Sequence, residues 1–137
     1  MTSTPVKIHA FRLKPGQDLR KEIEALVAKE KIATGYIITC VGSLTQTNIR
    51  YANQPSGTQM NGHFEIVSLT GTVSTNGNHL HISVSDSLGK TTGGHLLPTN
   101  LVYTTAEIVI GESPNLIFSS EKDGSTAWEE LQIKVKE

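Results

Sequence analysis

Cysteine is almost missing from this chain: Cys40 is the single one in 137 residues. No intrachain disulfide can form, which excludes a secreted disulfide scaffold. An excess of charge of one sign is missing too. Twelve Lys and Arg stand against 13 Asp and Glu, a formal net charge of −1, whereas a domain that grips DNA through its own surface carries a strong positive bias. No apolar run approaches the roughly 20 residues needed to span a bilayer, so no membrane partner is expected. The start, Met1-Thr2-Ser3-Thr4-Pro5, lacks the basic and then apolar pattern of a secretory signal. Cytoplasmic residence is the expectation. Internal repeats, low-complexity tracts and linkers are absent as well.

What remains is an ordinary globular composition, 36% apolar before 12 glycines are counted. The length suits one core, so a single domain over residues 1–137 is expected. A near-neutral net charge gives little protection against self-association.

Val6, Ile8 and Ala10 alternate with Lys7 and His9, which predicts a strand running to Leu13. Lys14-Pro15-Gly16 breaks it. Asp18 is placed to cap a helix whose apolar stripe is Leu19, Ile23, Leu26 and Val27, with Lys29 and Lys31 near its negative pole and Gly35 as its stop. Tyr36–Val41 is a nearly continuous apolar run, the pattern of a strand buried on both faces, and Leu44–Tyr51 follows as another strand. Asn53–Gly62 is rich in turn residues. Asn76-Gly77 is the strongest hairpin signal and joins Phe64–Ser74 to His79–Ser85. Asp86–Gly89 reads as a turn. Further strands are expected at Leu101–Ile110, Leu116–Ser119 and around Leu131, Ile133 and Val135. One helix followed by antiparallel strands predicts an α+β fold, a barrel-like antiparallel sheet with one main flanking helix.

The chemistry concentrates at His79-Leu80-His81. Residues two apart on a strand share a face, roughly 7 Å between Cα atoms, so both imidazoles project together while Leu80 enters the core. Gly93-Gly94-His95 offers a third imidazole behind two glycines that permit close backbone approach. Three neutral imidazoles with an open fourth position form a zinc-type site, and the same donors accept Fe, Ni or Co. On spacing alone the alternative stands beside this, since two exposed histidines on a polar strand face need no metal. His9 and His63 have no such pairing. Cys40, inside an apolar run, reads as a small buried hydrophobe. Gly42-Ser43 lacks the surroundings of a phosphate loop or a nucleophile elbow.

Five segments carry a resemblance: Arg12-Leu13-Lys14-Pro15-Gly16, Val41-Gly42-Ser43-Leu44, Gly62 to Gly71, His79-Leu80-His81-Ile82-Ser83 and Gly93-Gly94-His95-Leu96. In this order they resemble the signature blocks of the PPC domain, the plant and prokaryote conserved domain. The resemblance implies an antiparallel sheet with a flanking helix, a homotrimer around a threefold axis, and a metal site at His79, His81 and His95. Zinc is the first expectation for the divalent ion. Glu107 matches a family position. It is expected as a partner of a histidine, as a general base, or as a structural carboxylate paired with Arg12 or Arg50; these three residues are the supporting or ligand-binding candidates. Plant members add an Arg-Gly-Arg-Pro hook for A·T-rich DNA, a tetrapeptide not found in this sequence.

The reading that follows is a trimeric metal-binding module, a binding or regulatory protein for a small-molecule or protein ligand. A DNA-binding transcriptional regulator is the alternative by family analogy, unsupported by charge. A metal-dependent enzyme is the other alternative, with activated water in the open position and no base identified.

Overall fold

A computed structural model describes residues 4–137; residues 1–3, part of the stretch read for a targeting signal, lie outside the described residues. The elements run β1 (Lys7–Leu13), α1 (Leu19–Lys29), β2 (Gly35–Arg50), β3 (Thr58–Ser74), β4 (Gly77–Ser85), β5 (Thr91–Leu96), β6 (Leu101–Glu112), β7 (Leu116–Glu121) and β8 (Glu130–Val135). The expected α+β architecture is present. Six strands form one antiparallel sheet in the order β1-β6-β2-β3-β4-β5, and β7 and β8 form a separate hairpin.

The sheet curls because β2 has more partners than a flat sheet allows. β6 pairs along β2 as far as Gln46, and β5 then takes up the edge at Ile49 and Arg50. That last pairing closes β2, β3, β4 and β5 into a barrel-like ring. Register shifts beside Ile37, Gly42 and Leu44 bend β2, as bulges do. It is therefore one 16-residue strand, where two were expected. A bulge at Gly42-Ser43 turns the chain without ending its pairing.

Helix α1 begins where Asp18 accepts hydrogen bonds from the backbone N–H groups of Arg20 and Lys21. It buries Leu19, Ile23 and Val27 against β3 and β6, each side chain contributing on the order of 1.5–3 kcal/mol. The helix stops at Lys29, and Lys31 takes the left-handed conformation (φ 53°). Gly35 is thus not the stop but the first residue of β2. Inside the ring lie Leu44, Ile49, Val73, Leu80, Val84 and Leu96, all essentially inaccessible to solvent.

Two more expectations shift. The turn-rich stretch is shorter than read, because Thr58, Gln59 and Met60 pair with Ile49, Asn48 and Thr47 and so extend β3 backwards. The apolar run of β2 is not buried on both faces: Ile38 is 50% and Val41 56% exposed. Cys40, between them, faces inward and is buried. The outer side of β2, β3 and β6 also leaves Val67 and Tyr103 exposed. No described helix is long and apolar enough to cross a membrane.

Candidate metal centre

A single row of backbone register builds the site. Arg50 on β2 is the Cα partner of His95 on β5, His95 is the partner of His81 on β4, and His81 is the partner of Thr70 on β3. Directly opposed residues on antiparallel strands share a face, so the side chains of this row emerge together. His79 stands two residues from His81 on the same face, opposite Thr72. Between them Leu80 is buried.

Close packing at this end of the ring depends on glycine. A Cβ on Gly94 would lie 2.4 Å from the Arg50 carbonyl oxygen, and one on Gly93 2.5 Å from that of Ile82. Neither contact is possible for a real side chain, so β5 fits between β2 and β4 only because both positions are bare. The segment that carries Gly93-Gly94-His95, to which no strand was assigned from sequence, is the strand β5. Next to it Asn100, fully buried, accepts from the Asn48 N–H and donates to the carbonyls of Asn48 and Leu97, holding the exit of β5 against β2.

His79, His81 and His95 bring one ring nitrogen each to within 4.8 Å of one another. The Nε2 atoms of His79 and His81 are 3.1 Å apart, close to the roughly 3.3 Å edge of a tetrahedron of nitrogens about 2.0–2.1 Å from a zinc ion. His81 and His95 meet edge to face, and His79 and His95 stack. The basicity of two of them is reduced. His81 is lowered by burial, then by His79 and Arg50; His95 is lowered by burial, then by Arg50 and the other two imidazoles. Both are thereby kept in the neutral form that binds a metal. Three imidazoles without a carboxylate suit a borderline-soft divalent ion. The donor set can hold such an ion with three ligands, one short of the four that zinc takes.

A cleft of about 870 Å³ adjoins the centre; the six-stranded sheet forms its floor with His79, His95 and Arg50, and the C-terminal hairpin region forms a wall with Trp128, Glu129 and Glu130. A smaller depression of about 220 Å³ adjoins it at His79, His81 and Thr70. The outer wall belongs to the C-terminal hairpin, tied to the body by the Phe118 N–H donating to the Ala33 carbonyl and by Asn76 Nδ2 donating to the Phe118 carbonyl.

The supporting candidates separate. Arg50 belongs to the site, its guanidinium held by the Gln54 carbonyl. Glu107 is exposed on β6, opposite Arg12 on one side and Val41 on the other. Val41 is nine residues along β2 from Arg50, on the order of 30 Å of strand, so Glu107 is not a neighbour of the histidines. Its charge acts on Cys40. That thiol is pushed up to about 12, first by burial and then by the Glu107 charge. Arg12 turns its guanidinium to Thr105 Oγ1 and the Thr104 carbonyl rather than to a carboxylate. His9 bonds Glu112 at 3.0 Å, and His63 lies against the Tyr103 ring. Sequence reasoning missed the cleft wall. Its one signal was the lone tryptophan, Trp128, followed by two acids in an otherwise polar stretch.

Residues 2–114 match the model of the Plants and Prokaryotes Conserved (PCC) domain. The chain belongs to this family. All three histidines lie inside the matched span, and the β7–β8 hairpin lies beyond it. Among relatives, the bifunctional protein GlmU of a Synechococcus strain is 43% identical over 129 residues, 94% of this chain but 20% of its own length. This PCC chain therefore spans about a fifth of that protein. A hypothetical protein from Salmonella is 40% identical and superposes with a TM-score of 0.95 over 98% of this chain and 97% of its own. That coverage is too extensive to leave out the hairpin. The metal-containing protein from Archaeoglobus fulgidus, 23% identical, shares the fold at a TM-score of 0.77 over 96% of this chain and 99% of its own.

Proposed function

We propose that this PCC domain is a trimeric, cytoplasmic metal-binding module whose three-histidine centre presents one divalent ion to a small-molecule ligand. The observation that carries the reading is the convergence of His79, His81 and His95 within 4.8 Å, with His79 and His95 lining a cleft of about 870 Å³. Surface histidines with structural roles only have no reason to gather beside a cavity of the size that holds small molecules. The fold shared with a protein named as metal-containing agrees with it. Zinc is the first choice of ion for this donor set, with Fe, Ni or Co also acceptable to three imidazoles.

Bound there, the ion would supply a Lewis-acid position for a ligand oxygen. The chain's own residues do the rest: the glycines fix His95, the β4 face fixes His79 and His81, and Arg50 adds positive charge beside them. The same positive charge favours an anionic group on the ligand. The trimer rests on the exposed Ile38, Val41, Val67 and Tyr103, an apolar set on the outer side of the sheet that a neighbouring subunit would cover. A DNA-binding role has no cationic excess to support it.

Elemental analysis of the purified, metal-replete protein tests the reading. About one divalent transition-metal ion per chain is expected. His81→Ala should lose most of it and His9→Ala should keep it. Less than about a tenth of an equivalent in the wild type, or undiminished binding by H81A, would refute the site.

A further inference from the structure

The cleft beside the histidines is lined by two polar sets that differ in sign, one on the six-stranded sheet and one in the C-terminal hairpin region. Its floor carries Arg50 and two of the three imidazoles, and becomes more positive once a divalent ion is bound. Its far wall carries Glu129 and Glu130, adjacent in sequence to Trp128, which is 72% exposed. Glu130 is fixed in place by a 2.6 Å hydrogen bond that Thr126 Oγ1 donates to its Oε1. Trp128 is fixed in the same turn, its backbone N–H donating to Thr126 Oγ1 at 3.1 Å. One threonine thus ties the Glu130 carboxylate to the backbone of Trp128.

A large aromatic left open to solvent beside two carboxylates is the chemistry that recognises an ammonium group, through the ring face and the acids together. A metal with an arginine alongside is the chemistry that recognises a carboxylate. Both lie on one cavity of about 870 Å³, within the range that encloses a small ligand.

We propose that the cleft binds a small zwitterion of the amino-carboxylate class, its carboxylate on the metal and Arg50 and its ammonium group between Trp128 and the Glu129–Glu130 pair. This rests on the metal reading above and adds the ligand class. The wall that chooses the ligand lies in residues 116–135, outside the span matched by the family model. The metal floor thus belongs to the shared domain, and the selectivity to the hairpin.

Two spectroscopic reporters separate the ends of the site. Cobalt(II) loaded into the histidine centre reports the carboxylate end through its visible absorption. Trp128, the only tryptophan in the chain, reports the ammonium end through its fluorescence. The cobalt-loaded protein is titrated with unbranched ω-amino acids from 4-aminobutanoate to 8-aminooctanoate, and with the alkanoate and alkylamine of each length. At the best-fitting length, the amino acid should change both signals and bind at least about tenfold more tightly than either single-ended analogue. The double variant Glu129→Gln, Glu130→Gln should remove that advantage while cobalt stoichiometry stays unchanged. Arg50→Gln should weaken the amino acid and the alkanoate alike and spare the alkylamine.

If cobalt binds but no amino acid outperforms its alkanoate at any length, or Trp128 does not respond, the ligand proposal is overturned and the metal reading stands. If cobalt fails to bind, the metal reading falls and this proposal falls with it. All the substituted side chains lie on the cleft surface rather than in the core, so the variants retain the fold and the comparison remains valid.

Discussion

His81 and His95 face each other as register partners across β4 and β5, their rings edge to face with centroids 4.5 Å apart. The distance is set by the backbone rather than by the side chains. β5 is wedged between β4 and the end of β2 by Gly93 and Gly94, so the position of His95 depends on two residues that have no side chain to contribute.

Gly94→Ala should therefore damage the site as well as the fold. Its new methyl group would meet the Arg50 carbonyl at 2.4 Å, and the strands must separate by several tenths of an ångström. Forced overpacking of this kind costs about 1–3 kcal/mol, with metal affinity reduced as His95 moves away. Gly89→Ala is the control. That glycine has a left-handed φ of 79° but open space around it, so it costs about 1 kcal/mol of backbone strain and should leave metal binding intact. Thermal unfolding and metal titration of the two variants, side by side, check the distinction.

Much of the centre was legible before the fold. The two-residue spacing of His79 and His81 defines a shared face on any strand, and Gly93-Gly94 signals close approach. Alternation located the strands, and Asp18 with its stripe located the helix. Three things were not legible. Bending of β2 at Gly42 depends on partners far away in sequence, so one long strand looked like two. The exposure of Ile38 and Val41 depends on which sheet face the single helix leaves uncovered, which no local pattern records. The cleft is a tertiary feature that brings residues about 50 positions apart, such as His79 and Trp128, onto one cavity. For the same reason Glu107 looked available to a histidine until the register placed it across from Arg12.

Cys40 should behave as an inert thiol. With its pKa pushed up to about 12 by burial and the Glu107 carboxylate, it carries almost no thiolate near neutral pH. Folded protein should react with a disulfide reagent at least about a hundredfold more slowly than the unfolded chain, whose thiol titrates near 8.5. The raised value also has a sign for stability. The unfolded state releases this proton first, so the thiol's contribution is present below about pH 8.5 and is lost as pH rises toward 12. Rapid modification at pH 8 without unfolding would contradict the burial.

Val41 tests the assembly. It is more than half exposed in the single chain, so Val41→Asp should cost the isolated subunit little, within roughly 0.5 kcal/mol. Covered by a neighbour, the same carboxylate would be a desolvated, unpaired charge. The wild type should sediment at about 44 kDa, three times the 14.8 kDa chain, and V41D as a smaller species with unchanged circular dichroism. A wild type that stays monomeric at micromolar concentration would exclude the trimer.

The pH dependence of metal binding follows from the imidazoles. Protons compete with the ion for the same nitrogens, so occupancy must fall on acidification. Burial and the neighbouring positive groups hold His81 and His95 below the ordinary histidine value near 6.5. Competition therefore begins at a lower pH than it would for free imidazoles. The sign is the same for the metal-free fold: its unfolded state takes up these protons first, so stability from the pair is complete above about pH 6.5 and declines as pH falls toward the lowered folded values. Removing Arg50 takes away one cause of the depression at both histidines. In Arg50→Gln, both residues should titrate at higher pH in the metal-free protein, read as a shift of their ring proton resonances, and loss of metal should begin at correspondingly higher pH. If Arg50→Gln leaves the histidine resonances and the pH of metal release unchanged, Arg50 does not act on the centre electrostatically.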